Sequence, residues 1–245
     1  PKKIYEYLDK HVWKQDAAKR DAAILAYNSF FREVKENAMF IGPTGCGKTT
    51  TLRCLQELFP AKIENVDGSN ITADGWKGDK KWNSLLQSPI ICAGERAILV
   101  IDEADKMLTP KYSSGSENVS HSIASEGLKL MEGIITDIKS GSVNYQVDTS
   151  KISFVLCGAF SSKADEIARN SNNGRSIGFG SVPHTAKAYD RPLTTQDLIE
   201  YGVMPEFMGR IHRIVNLQPM TLNDYYRIMD SGCSPVCHVQ DQYGV

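Results

Sequence analysis

The run Gly42-Pro43-Thr44-Gly45-Cys46-Gly47-Lys48-Thr49 constrains this chain more than any other stretch. It fits the pattern G-x-x-x-x-G-K-[ST], and its flanks supply the setting that pattern requires. A short apolar strand over residues 38–41 precedes it, and a helical stretch over 48–59, stopped by Pro60, follows it. The glycines let successive backbone N–H groups converge on phosphate oxygens, and the positive end of the next helix adds to that attraction. In such a loop Lys48 reaches the β- and γ-phosphates and the Thr49 hydroxyl ligates Mg²⁺, with Thr50 beside it in the binding set. The chain is therefore expected to bind a nucleoside triphosphate.

A second motif belongs with the first. Residues 98–106, ILVIDEADK, form an apolar run ending in two acids, as expected of a strand buried on both faces that delivers its last side chains to the rim of a sheet. Asp102 is then placed to hold Mg²⁺ through its water shell, and Glu103 to position or polarise an attacking water. Residues 102–105 also spell DEAD, the string of a family of RNA helicases. The interval from Lys48 to Asp102 is only 54 residues (102 − 48), no SAT motif follows, and the chain is too short for a second helicase core. Ala104 and Asp105 read more simply as the start of a helix.

Helical patterns over 4–12, 16–34, 48–59 and 123–138 alternate with apolar strands over 38–41, 63–66, 97–101, 152–157 and 211–217. That alternation predicts an α/β layered fold around a mainly parallel sheet. Residues 171–185, rich in Gly, Ser and Asn, read as a surface loop. Among 245 residues, 41% are hydrophobic and 23% charged, which excludes disorder, collagen-like repeats and coiled coil. With 28 Lys+Arg against 29 Asp+Glu, no bulk basicity suggests a nucleic-acid partner. No apolar run approaches the roughly 20 residues of a membrane span, and the charged start PKKIYEYLDK is not a signal peptide. Six cysteines without a CxxC pair fit a reducing, cytoplasmic setting. Cys233, Cys237 and His238 cluster near the end but lack a fourth ligand for a metal. The missing initiating Met and the abrupt end, DQYGV, give the chain the look of a piece of a longer protein.

These motifs and several longer strings resemble the large domain of the AAA+ ATPases of the ClpX/HslU group, ClpX most closely. The strings are residues 1–31, QVDTSKISFVLCGAF (146–160) and LTTQDLIEYGVMPEFMGRI (193–211). The resemblance implies a P-loop NTPase three-layer sandwich with a five-stranded sheet, and it assigns further residues. Val12 and Trp13 match positions packing against adenine, with Lys14 where relatives usually carry Gly. Cys157 falls where relatives often place a polar γ-phosphate sensor; a thiol is a weak donor, and buried packing is the expected role. Arg210 matches the arginine finger that reaches a neighbouring subunit's nucleotide. Trp76 and Lys77, within Gly75-Trp76-Lys77-Gly78, match the pore loop that grips substrate protein, with Lys77 replacing an aliphatic residue. Ile177, Gly178 and Phe179 match the tripeptide that docks on a ClpP-type peptidase.

The resemblance thus implies an ATP-dependent, Mg²⁺-requiring protein unfoldase that works as a homo-hexamer, threads protein substrates into a ClpP-type peptidase, and has no membrane segment. Residues 1–230 would form the large nucleotide-binding domain and 231–245 the start of a truncated C-terminal lid. The chain alone would then bind nucleotide weakly and turn it over slowly. The family's N-terminal zinc-binding domain has no counterpart, and its long basic loop is reduced to a short one over 133–144. Two other readings remain open at this point: a non-proteolytic AAA+ remodeller or loader that uses ATP as an assembly switch, and a nucleotide-binding scaffold with little hydrolysis.

Overall fold

The computed structural model describes residues 1–69, 71–72, 81–111, 118–140, 143–173 and 187–230. In chain order the elements are α1 (Lys2–His11), α2 (Asp16–Phe31), β1 (Ala38–Ile41), α3 (Lys48–Leu58), β2 (Ile63–Asp67), α4 (Trp82–Leu85), α5 (Pro89–Cys92), β3 (Ala97–Asp102) and α6 (Ala104–Leu108). They continue with α7 (Val119–Glu132), β4 (Ile135–Ser140), β5 (Val143–Asp148), β6 (Ile152–Gly158), α8 (Ser161–Asn173), α9 (Thr195–Tyr201), α10 (Pro205–Met208), β7 (Arg213–Asn216) and α11 (Leu222–Asp230).

Five strands form one sheet in the order β2-β3-β6-β1-β7, every pair parallel. The three central strands, AMFI, AILVID and ISFVLCG, are buried almost throughout, which is why they read as unbroken apolar runs. The period-2 alternation of a strand then divides their side chains between two cores. Ala38, Phe40, Ile98, Val100, Val155 and Cys157 face the layer built by α1, α2 and α3. Met39, Ile41, Leu99, Ile101, Phe154 and Leu156 face the layer that includes α4, α6, α7, α9 and α10. The result is the expected three-layer α/β sandwich. In α2, Ala18, Ala22 and Ala26 recur at the helical spacing on the buried side, and such small side chains let a helix lie close to a sheet.

Three expectations from the sequence need correction. The helix predicted over 123–138 ends at Glu132. Gly133 follows at φ 104°, a left-handed conformation that stops the helix, and the main chain of Ile134 then exchanges hydrogen bonds of 2.8 and 3.0 Å with the Thr149 hydroxyl. Residues 133–144 are accordingly not a plain short loop. Most of them belong to an antiparallel hairpin in which β4 pairs with β5, with Ile138 and Val147 buried and Ile135 exposed. The surface loop predicted over 171–185 begins as the last turn of α8, since residues 171–173 are helical, and its remainder up to the last residue lies outside the described residues. The segment 231–245, including Cys233, Cys237 and His238, also lies outside them.

The approach to α9 is fixed by charge. Arg191 grips both oxygens of Asp197 at 2.8 and 2.7 Å, while the Thr194 amide and hydroxyl donate to the same carboxylate at 2.8 and 2.7 Å. The guanidinium foremost, with the Thr194 donors, holds the Asp197 carboxyl well below the usual carboxylate range. A group with a depressed folded-state pKa stabilises the fold above its unfolded pKa, and that contribution is lost as pH falls. Asp197→Asn is therefore expected to cost about 2 kcal/mol at pH 7. The gap between wild type and variant should narrow as pH drops below about 4. Urea midpoints measured across that range check both points, and a gap that is constant with pH would contradict the assignment.

Candidate active site

A cleft of about 1050 Å³ opens at the carboxyl ends of the strands. Its position follows from topology. β1 and β6 are neighbours, yet the helix leaving β1 (α3) packs on one face of the sheet while Phe160 and Ile167, in the chain leaving β6, pack on the other. Diverging connections leave a crevice between two strand ends, the place where α/β sheets bind ligands. Gly45, Gly47 and Lys48 line it from the β1 side, and Gly158 and Ala159 from the β6 side.

The phosphate loop joins β1 to α3 through two left-handed glycines, Gly45 at φ 79° and Gly47 at φ 100°. Gly42 is needed for a different reason: a Cβ there would lie 2.9 Å from both the Cys46 sulfur and the Leu217 carbonyl oxygen. Thr44, Thr49 and Thr50 also line the cleft, whereas the Cys46 side chain is buried in the α1–α3 core. Gly42, Pro43 and Cys46 thus serve the loop through its shape. The Lys48 ammonium lies along that loop and donates to the carbonyls of Gly42 (2.6 Å) and Pro43 (2.9 Å).

β3 brings the acids alongside. Thr49 Oγ1 donates to Asp102 Oδ2 at 2.7 Å, and the Glu103 amide donates to Asp102 Oδ1 at 2.9 Å. A hydroxyl and a carboxylate held this way suit a hard, oxygen-seeking cation that keeps several waters, as Mg²⁺ does. Glu103 stands at φ 53°, in a conformation costly for a non-glycine residue, and its carboxylate pairs with Lys106 at 2.6 Å in the rim of the cleft. α6 starts at Ala104, as expected, and Asp105 accepts a 3.4 Å hydrogen bond from the Phe160 amide.

The other wall is made by Val12, which is buried, and Trp13, which is 37% exposed; both line the cleft. Lys14, standing where relatives of the resembled group usually have Gly, adopts φ 58°. Its left-handed backbone costs about 1 kcal/mol or more. The side chain offers a compensation glycine lacks, since its ammonium reaches Asp224 at 3.0 Å and the Pro219 carbonyl at 3.2 Å. Gln15, also left-handed at φ 60°, is buried and ties three segments together. Its amide donates to Cys46 O (3.1 Å) and Gln218 O (2.7 Å), and its carbonyl accepts from the Gln218 amide (2.9 Å). α11 closes the same side, with Tyr225 Oη 3.4 Å from Gly45 O. Gln15 and Tyr225 were not visible as site residues in the sequence because each acts on a partner remote in the chain, and Lys106 because an i,i+3 pair with Glu103 is an ordinary feature of a helix start.

Arg210 is not in this cleft. It lies at the amino end of the sheet, where its carbonyl accepts from Asn37, the residue before β1, and its guanidinium pairs with Glu132 at the end of α7. The four residues of β1 alone put roughly 13 Å between that end and the phosphate loop. Cys157 is fully buried in register with Phe40, and desolvation pushes its thiol well above the usual range, so it stays neutral and packs. Trp76 and Lys77, and Ile177, Gly178 and Phe179, lie outside the described residues. Among the described residues no cluster of three or more His, Cys, Asp or Glu is arranged to hold a metal, and no helix is long and apolar enough to cross a membrane.

Comparison with known families agrees with this geometry. The profile of the "ATPase family associated with various cellular activities (AAA)" matches residues 38–176, more than half of the chain, from β1 through the phosphate loop and the acid pair to beyond β6. The chain belongs to the AAA family. Among curated AAA relatives, the ATP-dependent Clp protease ATP-binding subunit ClpX of Treponema denticola is 31% identical over 265 residues, covering 94% of this chain. The alignment covers 62% of that relative, so this AAA chain spans less than two thirds of its length. An ammonium at the Lys48 position of such a loop would make a charge-assisted contact to phosphate, so Lys48→Ala is expected to weaken binding of a fluorescent ATP analogue about ten- to a hundredfold. Equal affinity of variant and wild type in a titration would contradict the site.

Proposed function

We propose that this chain is the nucleotide-hydrolysing large domain of a ClpX-like protein unfoldase. The observation that carries the reading is the 2.7 Å contact between Thr49 and Asp102, which joins the phosphate loop to the acid pair in one cleft. ATP is the substrate, with its phosphates in the Gly42–Thr49 loop and its base against Val12 and Trp13. Thr49 and Asp102 would hold Mg²⁺, which supplies charge neutralisation at the β- and γ-phosphate oxygens. Lys48 leaves its carbonyl partners to meet the same oxygens. Glu103 leaves Lys106 to orient the attacking water, and Arg210 acts on the nucleotide of the next subunit, since it stands at the far end of its own sheet.

The similarity to the Treponema protein supports carrying the reading further. On this reading residues 1–230 are the large domain and 231–245 begin a lid. The protein works as a homo-hexamer in the cytoplasm, Trp76 and Lys77 contact a threaded protein substrate, and Ile177, Gly178 and Phe179 dock on a ClpP-type peptidase. Glu103→Gln tests the core of it. The variant in the full-length protein is expected to retain ATP binding while turnover falls by about two orders of magnitude or more. Unchanged phosphate release would remove Glu103 from the role of base.

A further inference from the structure

A buried side chain, Asn37, ties the main chain at Arg210 to the start of β1. Asn37 is fully buried immediately before β1, and every polar group it owns is engaged. Its side-chain amide donates to Arg210 O at 3.0 Å and to Met131 O at 3.3 Å, while its Oδ1 accepts from the Phe154 amide at 3.0 Å. Its own amide donates to His212 Nδ1 at 3.0 Å, and its carbonyl accepts from the His212 amide at 2.9 Å. These partners are chosen narrowly. Met131 precedes Glu132, the residue that pairs with the Arg210 guanidinium, so one amide group sets the main chain beneath both members of that ion pair. Two residues earlier, the Lys35 ammonium holds the neighbouring α7 carbonyl, Leu130 O, at 3.1 Å and Thr149 O at 2.7 Å. A fully satisfied buried network of this kind fixes geometry sharply, because each lost partner strands another polar group away from water.

We propose that Asn37 is the positioning residue for Arg210. It locks the Arg210 and Met131 carbonyls to the start of the strand whose other end carries the phosphate loop. The inference rests on the reading of Arg210 as a residue acting on the neighbouring subunit. An apolar residue of similar size could fill the volume, but it could not hold two carbonyls that belong to different segments.

Asn37→Asp keeps the shape and the acceptor for Phe154 but turns oxygen toward the two carbonyls, so Arg210 should move while the cleft of the same subunit stays intact. In the full-length assembled protein, kcat is expected to fall about a hundredfold, the loss typical of a misplaced group, with ATP affinity unchanged. Mixed assemblies separate positioning from general damage. The control mixes Arg210→Ala subunits with Glu103→Gln subunits: each is inactive alone, and together they should regain turnover at sites that pair an intact Glu103 with a neighbour's intact Arg210. Absence of recovery in that control refutes the action of Arg210 on its neighbour, and the proposal falls with it.

With the control positive, Asn37→Asp subunits should regain turnover with Glu103→Gln subunits and not with Arg210→Ala subunits. Recovery with Arg210→Ala instead would place the damage in the variant's own cleft and overturn the proposal, as would full activity of Asn37→Asp alone. Should Asn37→Asp fail to assemble, Asn37→Ser keeps a hydroxyl at the site and is expected to show the same asymmetry at smaller amplitude. A symmetric result with Asn37→Ser would likewise overturn it.

Discussion

The candidate site depends on the parallel seating of β1, β6 and β3. Because all three are buried on both faces and paired in fixed register, their carboxyl ends come out together. The phosphate loop, Gly158 and the Asp102–Glu103 pair therefore meet at one rim without any of them contacting the others along the sequence. The hydrogen bond from Thr49 to Asp102 is the visible consequence. A slip of one residue in either pairing would turn side chains from one core to the other and pull Asp102 away from the loop.

The same seating separates the cleft from Arg210. A strand has two ends, and in a parallel sheet one of them gathers the ligand-binding loops while the other does not. Arg210 is anchored at that other end with Glu132, Asn37 and His212. One chain thus offers a cleft at one pole and a guanidinium at the opposite pole. On the proposed reading, two such surfaces complete one another between molecules, head to tail, as in a ring. Lys48 folded onto its own loop and Glu103 paired with Lys106 fit a cleft whose charged groups are held in place by internal partners.

Much of this was legible in the sequence, and for a physical reason. The loop, the acid pair and the central strands are encoded by neighbouring residues: glycines where the backbone must turn left-handed, and apolar runs where both faces are buried. The helix predicted over 123–138 overruns its true end because Ile134, Ile135 and Ile138 suit a helical stripe as well as a strand. Gly133 was the signal against it. Gln15 and Asn37 were not legible at all. Their roles consist of hydrogen bonds to Gln218 and Arg210, some two hundred and one hundred and seventy residues away, and a lone amide in sequence carries no sign of such partners. Lys14 shows the reverse, a departure from the resembled pattern that the fold accommodates through Asp224.

The central claim is that no single chain holds a complete hydrolytic site, because the cleft and Arg210 lie at opposite ends of the sheet. Its most direct test is ATP turnover per subunit measured across dilution, with the oligomeric state followed in the same samples. Turnover per subunit should rise in step with assembly and fall close to background in monomer, while nucleotide binding persists. Turnover per subunit that stays constant down to fully monomeric protein would contradict the account.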